Sequence, residues 1–119
     1  MLMQNKSWSG AEVRFLDYDK ILRDLRQAVS EAKAAHPEIV RVLLFGSLVQ
    51  GDWTADSDAD LIVVVGREFL DLLGSRTPYQ VFTRSIPTDS LVYSEAEFQE
   101  LSCDPESFLA QNLPTAIEL

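Results

Sequence analysis

The chain has 119 residues, 46% of them hydrophobic, and a formal charge of -9 from 19 Asp plus Glu against 10 Lys plus Arg. That composition suits one domain with a modest core and no room for a second substrate-binding domain, and it opposes binding to nucleic acid, whose phosphate backbone requires basic contacts. The lone Cys103 excludes an intrachain disulfide and a multi-cysteine zinc site, and with no apolar run of membrane-spanning length the expectation is a cytoplasmic protein without membrane contact.

In chain order, residues 1–10 read as a flexible N-terminal arm ahead of a domain over 11–119, with Val13 to Leu16 as a short edge strand. From Asp19 to Ala35, Ile21, Leu22, Leu25, Ala28, Val29 and Ala32 recur at helical spacing opposite a charged face. His36-Pro37 closes that helix, because the residue before proline is pushed out of helical angles, and His36 reads as a cap or surface residue rather than a catalytic one. Ile39 to Phe45 and Asp60 to Val65 are short branched apolar runs, each predicting a central strand buried on both faces. Glu68 to Leu73 and Thr77 to Arg84 predict one helix broken at Gly74 or two short ones, with Thr77-Pro78 able to start the second. Leu91 to Tyr93 predicts a further strand, Ser94 to Glu97 a capping box opening a helix, and Asp104-Pro105 the start of another. Cys103 reads as a reduced packing residue. The order predicts an α/β (α+β) domain with a mixed β-sheet flanked by helices.

The chemistry concentrates between the two apolar strands. Gly46-Ser47 is followed, ten residues later, by Asp58-Ala59-Asp60. Side chains two apart on a strand share a face, so Asp58 and Asp60 project together, and two carboxylates repel unless a cation lies between them. Oxygen-only ligands favour a hard ion such as Mg²⁺, which takes one or two carboxylates and leaves its other positions to water and substrate phosphates. Gly46 permits close approach of backbone to a ligand, and a helix starting near Ser47 would turn its unpaired N–H groups toward an anion. Two rival motifs fail. Gly46 and Gly51 have P-loop spacing, but Asp52 and Trp53 stand where Lys and Ser or Thr are needed; Asp56, Asp58 and Asp60 could open an EF-hand, but Leu61 and Arg67 occupy its Gly and bidentate Glu positions. An ordinary acidic turn before a buried strand is the remaining alternative.

The segment resembles the signature of the minimal nucleotidyltransferases, small members of the DNA polymerase beta superfamily, in which Gly-Ser is followed after ten residues by Asp-x-Asp. The resemblance runs from the helix near Asp19 to Phe108 and is concentrated in residues 45–65. It implies a single nucleotidyltransferase domain and a third carboxylate on a later strand, for which Asp89, within Ile86 to Tyr93, is the candidate. It further implies transfer of AMP from ATP to a hydroxyl, with two Mg²⁺ ions held by Asp58, Asp60 and Asp89, and with Gly46, Ser47 and Ser57 on the phosphates. The same resemblance implies a HEPN-type protein partner, a small helical ribonuclease toxin that the enzyme would adenylylate as its antitoxin. Relatives often place an arginine between the two glycines, where this chain has Leu48, Val49 and Gln50, which predicts weaker nucleotide binding. That departure keeps two other readings open: a non-catalytic binding module of the same fold, and a small-molecule nucleotidyltransferase needing a companion subunit. A loop aromatic, Trp53, reads as packing against its own domain rather than on a base.

Overall fold

Branched apolar runs flanked by turn residues become the two middle strands of a four-stranded sheet. In this computed structural model, which describes residues 18–50, 58–69 and 75–119, helix α1 spans Tyr18–Ala35, strand β1 Ile39–Phe45, the short helix α2 Ser47–Gln50 and strand β2 Ala59–Val65. Strand β3 covers Thr88–Ser94, helix α3 Glu95–Ser102, helix α4 Phe108–Asn112 and strand β4 Ile117–Glu118, with single 3-10 turns at Thr77–Tyr79 and Leu113–Thr115. The expected N-terminal arm, the Val13 to Leu16 strand and most of the helix proposed over Glu68 to Leu73 lie outside the described residues.

The sheet order is β3-β2-β1-β4, mixed as the sequence predicts, with β1 antiparallel to β2 and β4 and with β2 parallel to β3. Alternation along the strands divides the core. Val42, Leu44, Leu61, Val63, Val65 and Val92 face Leu25 and Val29 of α1, whereas Leu43, Phe45, Ile62 and Val64 face Phe98 of α3 and Leu109 of α4. Helices therefore cover both faces, which is why β1 and β2 are apolar almost throughout.

Local signals hold at α3. The Ser94 hydroxyl accepts from the Glu97 N–H at 3.1 Å while Glu97 accepts from the Ser94 N–H at 2.9 Å, the reciprocal pair that satisfies two orphan donors. Arg76 grips the same Glu97 through both guanidinium nitrogens at 2.8 and 2.9 Å and donates to the Val92 carbonyl.

Three expectations change. The helix predicted over Thr77 to Arg84 is a single 3-10 turn, with Gln80 already extended at φ -72, ψ 142. Beyond it, the Val81 N–H donates to the Ser90 hydroxyl and the Val81 carbonyl accepts from the Thr88 hydroxyl, so the edge strand's side chains take the groups a helix would have used. The last helix starts not at Asp104-Pro105 but at Phe108; Asp104 instead closes a turn, accepting from the Glu106 N–H on its carboxylate and the Ser107 N–H on its carbonyl, and Ser107 is the actual N-cap. Cys103 is exposed at the end of α3 rather than packed in the core.

Candidate active site

The sequence puts Asp58 and Asp60 at the entry to β2, and pairing does the rest. Phe45, the last residue of β1, is directly opposite Asp60 in the antiparallel ladder, so the Gly46-Ser47 bend emerges beside that carboxylate. On the other side Asp89 is paired with Asp60 in the parallel ladder, and paired residues of adjacent strands share a face. A hydrogen bond from the Ala59 N–H to the Pro87 carbonyl, 2.8 Å, ties the start of β2 to the segment feeding β3. Asp89 therefore belongs to a strand that begins earlier than Leu91 and carries it into register with Asp60, rather than to the turn before it.

The electrostatics follow from this arrangement. Asp60 is half-buried and its carboxyl is raised above the ordinary value, first by desolvation and then by the negative charges of Asp89 and Asp58. Among the described residues no ion pair joins these three carboxylates to Lys or Arg. Nor, among the described residues, are three His, Cys, Asp or Glu side chains drawn together closely enough to hold a metal ion. The three carboxylates thus form an open set. Asp60 and Asp89 are neighbours across the ladder, where strands lie about 4.8 Å apart, and their donors are hard oxygens only, the chemistry that suits a cation such as Mg²⁺.

Gly46 is fitted to Asp60. Its φ is +87°, a region L side chains rarely adopt, and a Cβ built there would lie 2.5 Å from Asp60 Oδ2. Sequence reasoning assigned this glycine to close approach by a ligand; the structure adds that the backbone bend and the Asp60 carboxylate already occupy each other's surroundings. Ser47 opens α2 immediately after the bend, and Leu48, 2% exposed, anchors that turn in the α1-side core. Ser57 and Trp53 lie outside the described residues. His36 precedes β1 at the end opposite the Phe45–Asp60 pair, and its ring meets Tyr79 edge-on with centroids 5.2 Å apart.

Sequence reasoning missed the aromatic floor beside this site. Phe45 is buried beneath Phe108, whose ring meets it edge-on with centroids 5.3 Å apart. No motif announces this contact, since it joins a strand end to a helix more than sixty residues later.

The fold is similar to the crystal structure of a candidate nucleotidyltransferase from Sulfolobus solfataricus, with a TM-score of 0.55 and 22% identity over 71% of this chain and 76% of that one. No curated protein matches the chain. Among the described residues no helix is long and apolar enough to cross a membrane. Residues 22–109, well over half of the sequence, match the nucleotidyltransferase domain profile, and they contain the Gly46 bend and all three carboxylates. The chain belongs to the nucleotidyltransferase domain family.

Proposed function

We propose that this chain is a Mg²⁺-dependent adenylyltransferase that moves AMP from ATP to a hydroxyl of a HEPN-type protein partner, the hydroxyl oxygen bonding to the α-phosphorus as the bond to the β-phosphate breaks and pyrophosphate and a proton leave, and that it acts as the partner's antitoxin. The observation that carries the reading is Asp60, paired with Asp89 across the parallel ladder, two residues from Asp58 and against a glycine bend, its charge disfavoured first by burial and then by both neighbours. Such a cluster gains from a divalent cation what it lacks in a basic partner. Bound metal would neutralise triphosphate charge and acidify the acceptor hydroxyl. Asp58 and Asp60 hold the nucleotide side of the site, while Asp89, exposed on the edge strand, accepts the hydrogen bond of the incoming hydroxyl and orients it. Gly46, Ser47 and Ser57 are assigned to the phosphate oxygens, through backbone N–H and hydroxyl groups, since phosphoryl transfer depends mainly on placement and charge neutralisation. The net charge of -9 supports a basic, RNA-cutting partner through complementarity.

The test is intact-mass analysis of a co-expressed HEPN-type partner after incubation with ATP and Mg²⁺. The expected result is a mass gain of one or more AMP units, abolished by Asp58→Asn with Asp60→Asn. One feature favours the non-catalytic reading: between Gly46 and Gly51, where relatives often carry an arginine, this chain has Leu48, Val49 and Gln50. If the Asn variants neutralise an unmodified partner as well as the parent chain does, the protein is a binding module and the enzymatic reading falls.

A further inference from the structure

Phe108 is 51% exposed, yet its position is fixed. It opens α4 directly after Ser107, whose hydroxyl accepts from the Ala110 N–H at 3.0 Å and donates to the Leu101 carbonyl at 2.5 Å. The next residue, Leu109, is buried at 1% and pins the helix to the sheet. The Phe108 ring stands at 76° to Phe45, centroids 5.3 Å apart, and Phe45 is the residue opposite Asp60. The other exposed large apolar side chains among the described residues, Val40, Phe82 and Leu91, make no such contact with the residue facing Asp60.

Three features combine at one place: an aromatic ring held in solvent, a buried ring that fixes its angle, and a carboxylate cluster on the same sheet face. Phe108 touches Phe45, and Phe45 is the strand partner of Asp60, so one packed side chain separates the exposed ring from the Asp60 position on the same sheet face. A rigid, half-exposed aromatic is a stacking platform, and it accepts any base because every base has a π face. We propose that Phe108 is the nucleobase-stacking residue of the nucleoside triphosphate site. This inference rests on the nucleotidyltransferase reading and adds the contact that recognises the nucleoside rather than its phosphates.

The experiment separates those two parts of the ligand. Calorimetric titrations of ATP and of inorganic tripolyphosphate, each with Mg²⁺, are run on the full chain and on Phe108→Ala and Phe108→Trp. Loss of one base stack is expected to weaken ATP binding at least about fivefold in Phe108→Ala while tripolyphosphate binding changes less than about twofold, and Phe108→Trp is expected to retain ATP affinity. Unchanged ATP binding in Phe108→Ala overturns the inference and leaves the ring as a partner-facing surface. Equal weakening of both probes also overturns it, because that pattern reports damage to the phosphate site. Failure of the unaltered chain to bind either probe removes the nucleotide reading itself, and this inference with it.

Discussion

Replacing Gly46 by alanine tests whether the bend and Asp60 are built around each other. Two costs apply. The backbone at φ +87° disfavours any Cβ, worth about 1–2 kcal/mol. The new methyl would also lie 2.5 Å from Asp60 Oδ2, where ordinary contact begins at 3.4 Å, so the carboxylate must retreat by about 0.9 Å. Forcing such an overlap in packed surroundings costs about 1–3 kcal/mol more. The sum, about 2–5 kcal/mol, lowers Tm by about 4 °C per kcal/mol in a domain of this size, and it leaves a folded protein if the parent has ordinary stability. The assay is a double-mutant cycle by thermal and urea unfolding, with Asp60→Ala as the second change. Asp60→Ala removes the clashing oxygen and keeps only Asp60's Cβ position, which already lies at 3.5 Å. Gly46→Ala in that background should cost only the backbone part, about 1–2 kcal/mol. An equal cost in both backgrounds refutes the reasoning, because the Asp60 carboxylate would then take no part in the demand for glycine.

Asp60→Asn should stabilise the protein at neutral pH by about 1 kcal/mol, because it removes a charge disfavoured first by burial and then by Asp89 and Asp58. Because the folded-state pKa of Asp60 is raised, its favourable contribution is complete below the unfolded value of 3.8 and is lost as pH rises through the folded value, so the advantage of Asn should vanish on acidification. Unfolding curves from pH 3 to 7 check this, and a less stable Asn variant at pH 7 counts against the electrostatic account. Glu97 behaves oppositely: hydrogen bonding from Arg76 holds its carboxyl down to about 2, so its contribution is present above 4.5 and lost as pH falls from there toward 2. The shift corresponds to about 3 kcal/mol at full weight, and with the side chain 40% exposed about 1–2 kcal/mol is expected from Glu97→Gln at pH 7. A pH-independent difference between Glu97→Gln and its parent would show that packing, not the ion pair, sets the cost.

What the sequence made legible was local. The apolar stripe of α1, the branched runs of β1 and β2 and the Ser94–Glu97 capping box each need only a few neighbouring residues, and each forms as the pattern predicts. The stretch after Tyr79 departs because its backbone partners, Thr88 and Ser90, sit on another strand and could not be read from propensity. Strand β4, two residues long, exists only through pairing with Leu43 and Leu44. The candidate site divides in the same way. Gly46, Asp58 and Asp60 are legible by spacing, whereas Asp89 needs the parallel register and Phe108 needs the packing of α4 on Phe45. Likewise, part of the demand for glycine at position 46 comes from the Asp60 carboxylate that strand pairing delivers beside it, so the glycine was visible while that reason was not.

Whether the three carboxylates bind a metal–nucleotide complex, as proposed, is read by a titration of Mn²⁺, a paramagnetic substitute for Mg²⁺, followed by magnetic resonance with and without ATP, on the parent chain and on Asp58→Asn with Asp60→Asn. The expected result is Mn²⁺ binding that ATP tightens in the parent and that disappears in the double variant while circular dichroism stays unchanged. Equal, ATP-responsive binding by the folded double variant would contradict it.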